Sequence, residues 1–319
     1  HDIFSVVPER KAELDTLKKR NPEVNPYELS YLIDNYVRTQ GVLPTDSFVV
    51  KVNKENCLAQ GMKVPAGFED FPEYMEVSIK GKSDIYKSEM MIYEMLARND
   101  WKRPMYMSVT LGQSNYARLE NYCILEGLAY RLTPFNFGRM GTIDADVMYD
   151  NMMNKFKFGG LDKPGIYLDE TVMRMCYTHR RAFAQLALRM LQEGKTDKVA
   201  KLVDYVEQVI SPENVPHNYA SGSLDLARVS LRVKKTDHAI KLAQTVAQGS
   251  CEYVEWYLSL PNAILLRDDR DCMYYMYQLH AAVEVLKEAG SDDAKKFEER
   301  LLDYNKALQT RLEGMNIGI

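Results

Sequence analysis

The sequence is short of the features that usually announce a chemistry. Its five cysteines, Cys57, Cys123, Cys176, Cys251 and Cys272, are odd in number, far apart and without a CxxC pair. That argues against a disulfide framework, leaving buried free thiols as the simple reading and a single bridge as the alternative. No run approaches ~18 consecutive apolar residues, so no segment is expected to span a bilayer. There is no start methionine and no signal peptide, and His1 reads as the edge of a longer chain or of a mature fragment. Neither sign of charge dominates: Lys plus Arg is 41 and Asp plus Glu is 45, a net −4. That balance excludes a nucleic-acid surface as the main business.

The common site motifs are missing too. There is no GxGxxG, HExxH or GxSxG. Gly81-Lys82-Ser83 resembles the end of a phosphate-binding loop, but the glycine needed five residues earlier is Glu76, so the backbone has no means of wrapping a phosphate. Cys176 and His179 share a helix face, yet two ligands do not make a zinc site. Asp144 and Asp146 form a DxD pair of the kind that holds a divalent cation against a diphosphate. They also stand at the start of the run Val147–Met153, where acidic residues cap free N–H groups and complement the helix dipole, and that reading is preferred. His217, His238 and His280 have no carboxylate or cysteine at ligand spacing. No metal, cofactor or catalytic residue is therefore expected.

What is present is the composition of an ordinary globular protein, 46% hydrophobic and 27% charged. At ~150 residues per domain the length suggests about two domains. The C-terminal half reads as helix after helix. Phe183, Leu186, Ala187, Met190 and Leu191 form one apolar stripe, closed by Gly194. Val199, Leu202, Val203, Val206, Val209 and Ile210 form the next; stripes around Leu224–Leu231, Ala239–Val246, Met276–Leu286 and Phe297–Leu312 follow. The turn Glu193-Gly194-Lys195-Thr196-Asp197 is echoed by Lys234-Lys235-Thr236-Asp237, 40 residues on when Val199 is compared with Ala239, and again by Gly290-Ser291-Asp292-Asp293. The spacing predicts irregular helix pairs of tetratricopeptide type, which stack because a lone amphipathic hairpin leaves its face unburied.

The N-terminal half is mixed. Helices are expected over Pro8–Asn21, Asn25–Gln40 (with Leu29, Leu32, Ile33, Tyr36 and Val37 inward), Glu55–Gly61 and Asp84–Arg98 (with Ile85, Ser88, Ile92, Met95 and Leu96 inward). Strands are expected over Ser47–Asn53, Tyr74–Ile79, Met105–Val109 and Ile124–Leu132. The fold class read from this is α+β: a mixed α/β lobe over 1–165 and a tetratricopeptide-like helical array over 166–319, divided near Lys163-Pro164-Gly165.

Three runs carry a family resemblance. They are Asn99-Asp100-Trp101-Lys102-Arg103-Pro104-Met105-Tyr106, Leu125-Glu126-Gly127-Leu128-Ala129-Tyr130-Arg131-Leu132, and Asn154–Gly160 followed by Ile166-Tyr167-Leu168-Asp169-Glu170. In this order they resemble the soluble C-terminal region of a Bacteroidetes-type family of large multi-pass membrane proteins similar to protein O-mannosyltransferases, over roughly residues 45–260. The resemblance implies an N-terminal membrane domain of the GT-C kind as partner, with the catalytic carboxylate on a loop of that domain. No catalytic residue carries over to this chain. It further implies a place on the periplasmic face of the inner membrane and an accessory role, positioning an acceptor protein or stabilising the membrane part.

Two groups of residues are binding candidates. Trp101, Arg103 and Tyr106 flank one expected strand and Tyr130 and Arg131 close another, an aromatic and guanidinium set suited to sugar or peptide; filling the seam between sheet and helices is the plainer reading. Glu126 and Arg131, five apart on one expected strand, fall on opposite faces and are not expected to pair. Tyr219, Trp256 and Tyr257 stand among Tyr253, Tyr274, Tyr275 and Tyr277, a cluster fit either for the core of a helical array or for a peptide-binding concave face. A free-standing peptide-binding scaffold unrelated to glycosylation is the alternative function. A soluble enzyme using Asp144 and Asp146 is the third.

Overall fold

The computed structural model describes residues 3–313, so His1 lies outside the described residues. The chain divides into two compact units, His1–Asp144 and Ala145–Ile319. The division thus falls at Asp144–Ala145 and not near Lys163-Pro164-Gly165. The reason lies in Ala145, Met148 and Met152, whose buried side chains tie the short helical segment that follows Asp144 to the helices after it.

In chain order the first unit contains β1 (Ile3–Val6), α1 (Lys11–Arg20), α2 (Leu29–Leu32), a π-helical turn Ile33–Val37, α3 (Arg38–Gln40), β2 (Val42–Leu43), β3 (Ser47–Lys51), α4 (Lys54–Ala59), β4 (Tyr74–Ser78), β5 (Asp84–Tyr86), α5 (Lys87–Asn99), β6 (Tyr106–Ser108), β7 (Cys123–Leu125), β8 (Ala129–Leu132) and β9 (Thr142–Ile143). Three small sheets result, ordered β2-β1-β5, β3-β4 and β6-β8-β7-β9. Strands β3 and β4 pair antiparallel with Phe48 opposite Val77, both buried, as period-two alternation requires. Leu29, Leu32, Ile33, Tyr36 and Val37 are all buried, the face read from the sequence.

Two expectations need correction here. Asp84–Tyr86 does not open a helix: it pairs antiparallel with β1. Helix α5 starts only at Lys87, where the Glu89 carboxylate accepts the Tyr86 N–H at 3.4 Å and pairs with Lys82. Its buried face is Glu89, Met90, Tyr93 and Leu96, while Met95 is 55% exposed. Ile124–Leu132 is not one strand. Gly127, at φ 148°, turns the chain between β7 and β8, which pair antiparallel.

The second unit contains α6 (Ala145–Asp150), α7 (Glu170–Gln192), α8 (Thr196–Val209), α9 (Ser223–Arg232), α10 (Thr236–Ser259), α11 (Asn262–Arg267), α12 (Asp269–Glu288) and α13 (Asp293–Glu313). Helices α7 and α8, α9 and α10, and α12 and α13 pack as successive pairs, and α7 with α9 and α10 with α12 link one pair to the next. The stripe residues Phe183, Leu186, Ala187, Met190, Val199, Leu202, Val203 and Val206 are buried as their spacing requires. Helices α8 and α10 begin at Thr196 and Thr236, directly after the two matching lysine turns. Helix α9 begins at Ser223, after Gly222 in the left-handed region at φ 75°.

Candidate functional site

The two candidate groups meet different fates. In the first unit the runs around Trp101 and Arg131 converge on one inward-facing network. The buried Trp101 ring donates from Nε1 to the Lys51 carbonyl at 2.9 Å. The Trp101 carbonyl accepts from the Gln60 amide, and the Gln60 backbone carbonyl accepts from Arg131 Nη2 at 3.0 Å. Arg131 Nη1 lies 3.4 Å from Glu126 Oε1, and Tyr106 donates to Glu126 Oε2 at 2.9 Å. Glu126 and Arg131 are each 8% exposed. At that depth an unpaired charge is strongly unfavourable, so each ion makes the other tolerable. The expectation that the two do not pair is overturned: the chain reverses through the turn at Glu126–Leu128, which brings Glu126 beside Arg131 on β8. Burial, helped by the bond to Glu126, raises the Tyr106 phenol above its ordinary range.

Arg103 and Tyr130 add little to this network. The Arg103 side chain is exposed, while its backbone N–H donates to Asn99 Oδ1 at 3.0 Å. Tyr130 packs edge-on against Tyr116 at 6.2 Å. Among the described residues neither Arg103 nor Arg131 lies over an aromatic ring.

In the second unit the tyrosines gather at the contact of α10 with α12. Tyr253 and Tyr275 stack at 4.3 Å and 9°. Tyr219, from the loop before α9, meets Tyr275 edge-on at 4.8 Å and Tyr274 at 5.8 Å, and accepts a hydrogen bond from the Tyr275 hydroxyl at 3.0 Å. Tyr257 and Tyr275 are buried, whereas Trp256 and Tyr274 are about half exposed and Tyr277 is 66% exposed. Core and surface readings therefore apply to different members of one cluster.

Beside Tyr274 and Tyr277 lies a cleft of about 340 Å³, which Trp256 and Tyr257 do not line. Helix α7 contributes Arg181 and Gln185, one turn apart, and α12 contributes Tyr274, Tyr277 and Gln278 on a single face; Asp225 and Arg228 come from α9. Arg228 is paired with Asp225 at 3.0 Å. Arg181 donates to Thr178 Oγ1 at 3.0 Å and, among the described residues, has no carboxylate within ion-pair distance. Gly222 lets the start of α9 approach α7: a Cβ there would stand 3.0 Å from Arg181 Cα and Cγ.

Behind the cleft, polar groups invisible to motif reading hold the loop that carries Tyr219. Arg180 is fully buried and donates to the carbonyls of Ile210, Val215 and Pro216 at 3.0, 2.6 and 3.2 Å. Glu207 Oε2 lies 3.0 Å from His217 Nε2, and Glu207 Oε1 lies 3.6 Å from His238 Nε2. The expectation that these histidines lack a carboxylate partner is thus corrected. The partner sits on α8, ten residues before His217, a distance at which helical spacing says nothing. Burial alone would raise the Glu207 carboxyl, but the bond to His217 and the nearby His238 imidazole outweigh it and bring it down to about 2. Burial holds His217 below the usual imidazole range. His217 Nδ1 meets Ser223 Oγ at 2.8 Å, which in turn meets Ser221 at 2.7 Å. This serine–histidine–glutamate row has the parts of a hydrolase relay, but both serines are fully buried, so no substrate reaches them.

Among the described residues no group of three His, Cys, Asp or Glu side chains is placed to hold a metal ion. Asp146 pairs with Lys195 at 2.8 Å and Lys198 at 3.5 Å. All five cysteines are free and buried. No described helix is long and apolar enough to cross a membrane.

Residues 5–147 match the family model described as TMEM260-associated domain 2. The match spans less than half of the 319 residues, takes in nearly all of the first unit, and stops before the tyrosine cleft. No curated protein and no solved structure matches the chain. The matched stretch contains two of the three resembling runs, and with them the whole Trp101–Arg131–Glu126–Tyr106 network.

Proposed function

We propose that this chain is a non-catalytic accessory module of a membrane-bound, protein O-mannosyltransferase-like protein, working on the periplasmic face of the inner membrane. Its first unit holds the module to the membrane part. Its second unit, a tetratricopeptide-like stack of helix pairs, presents the acceptor protein through the tyrosine cleft. The observation that carries the reading is the match of residues 5–147 to a domain associated with TMEM260. It is supported by the chemistry of the two units. The first turns its arginine and acid inward, as a structural platform does, and the second leaves Arg181, Tyr274 and Tyr277 at its surface.

A peptide-binding scaffold with no link to glycosylation is favoured by one fact, that the cleft lies outside the matched residues. The two readings separate in cells that make the parent protein. With Tyr274→Ala and Tyr277→Ala introduced there, hexose-modified peptides of extracytoplasmic proteins are expected to fall severalfold by mass spectrometry, at unchanged levels of the parent. An unchanged hexose pattern sinks the accessory reading.

A further inference from the structure

We infer that the cleft of the second unit takes an extended peptide in which an acidic side chain stands beside a proline or an aromatic residue. This rests on the reading of that unit as the acceptor-presenting part and names the chemistry it selects. Tyr274 and Tyr277 are exposed, and Tyr219, which meets Tyr274 edge-on, is itself fixed by the Tyr275 hydroxyl. A ring braced as Tyr274 is loses little freedom when a flat partner lands on it. Proline and aromatic side chains are the flat groups a peptide carries.

The charge selects further. Arg228 is already matched by Asp225, while among the described residues Arg181 bonds to the Thr178 hydroxyl and to no carboxylate. A guanidinium carries five donors in a planar fork, so Arg181 keeps the capacity to grip a carboxylate through two parallel bonds. Gln185 and Gln278 each bring an amide, which matches both the N–H and the C=O of a peptide unit. A neutral sugar would use the rings and amides but not the Arg181 charge. A polyanion would meet Asp225. The volume of about 340 Å³ sits near the small end of ligand sites and suits two or three side chains rather than a folded surface.

The test is selection of a phage-displayed random 12-mer peptide library on the full chain, with fluorescence-anisotropy affinities for the selected peptides. An array of neutral and uronate oligosaccharides is probed in parallel. Selected peptides are expected to share Asp or Glu within two positions of Pro, Phe, Tyr or Trp. Arg181→Ala is expected to weaken them about tenfold or more, a charge-assisted bond being lost, and Arg181→Lys to restore part of the loss. Tyr277→Ala, a surface change, is a second route to the same loss. The inference is overturned if no such motif is enriched, if both variants bind as well as the parent chain, or if the array captures oligosaccharides where the library yields nothing. Failure here with the hexose pattern still dependent on Tyr274 and Tyr277 removes the peptide chemistry and leaves the accessory role. Peptide capture with an unchanged hexose pattern does the reverse.

Discussion

Both units combine arginine with aromatic rings, and they use the combination in opposite ways. In the first, Arg131 is spent on Glu126 and on the Gln60 carbonyl, and Trp101 is spent on the Lys51 carbonyl. In the second, consecutive residues of one helix divide the work: Arg180 is buried against three carbonyls, and Arg181 faces the cleft without a carboxylate. Residue type therefore says little about function; what decides is whether the chain supplies the partner. Arg131 and Arg180 have theirs, and both side chains are buried.

The sharpest way to break this comparison is Arg180→Met. It removes the donor from three carbonyls at once, two of them on the buried Ile210 and Val215, and takes one set of ties from the loop over residues 211–222. A loss of about 3–5 kcal/mol is expected in denaturant unfolding, as when one side of a buried polar arrangement is deleted. A loss below about 1 kcal/mol would show that the loop is held by other means. Arg131→Met strands a buried Glu126 carboxylate and is expected to cost a similar or slightly smaller amount, because Tyr106 still donates to it. Glu126→Gln together with Arg131→Met should recover part of the loss.

Acid sharpens the same contrast. The folded Glu207 carboxyl lies at about 2, below its ordinary value near 4.5. Between those values the unfolded chain binds a proton that the folded chain refuses. The stabilisation is thus complete above about pH 4.5 and is lost as pH falls toward 2, on the order of 3 kcal/mol. His217, held low by burial, acts in the same direction at higher pH: the unfolded imidazole charges first, so stability falls as pH drops below about 6.5. Thermal unfolding followed from pH 7 to 3 should show a falling midpoint that Glu207→Gln flattens. An equal slope in that variant would remove the network from the account.

Much of this architecture was legible in the amino-acid pattern. The helix stripes in the second unit and the β3–β4 alternation were readable because 3.6- and 2-residue periods report burial directly. The repeated lysine turns marked the starts of α8 and α10. What escaped reading was every interaction set by chain reversal. Glu126 and Arg131 fall on one expected strand because the alternation over Ile124–Leu132 hides the turn at Gly127. Asp84–Tyr86 was absorbed into a helix because its partner, β1, lies 79 residues away for the Ser5–Asp84 pair. One signal of the buried network does stand in the sequence: Arg180 lies in the apolar stripe of α7, four residues after Cys176 and three before Phe183, both buried. A charged residue on a core face announces a buried polar partner. Of the cleft only the tyrosines show in the sequence; Arg181 and Gln185 are ordinary surface residues until the helices pack.

Gly222 tests how closely α9 must approach α7. Its φ of 75° is strained for any residue with a side chain, and the added methyl would press on Arg181 Cα, which is backbone and moves only with the helix. Gly222→Ala is expected to cost about 1–3 kcal/mol. It should also shift the amide resonances of Arg181 and Ala184 more than those of the first unit. Uniform shifts would mean the strain is relieved elsewhere.

The smallest expected effect is the most telling for the contrast between neighbouring arginines. Arg181→Ala deletes an exposed side chain whose one bond among the described residues is to a threonine hydroxyl of its own helix, so stability should stay within about 0.5 kcal/mol of the parent chain. Arg180 and Arg181 would then differ by several kcal/mol at adjacent positions on the same helix, measured by the same unfolding curve. Should Arg181→Ala prove as damaging as Arg180→Met, the guanidinium at the cleft belongs to the fold, and a peptide carboxylate would have to displace an existing contact to reach it. A near-zero value leaves that charge available for a ligand and separates the residue that holds the Tyr219 loop from the one that faces what the loop helps to bind.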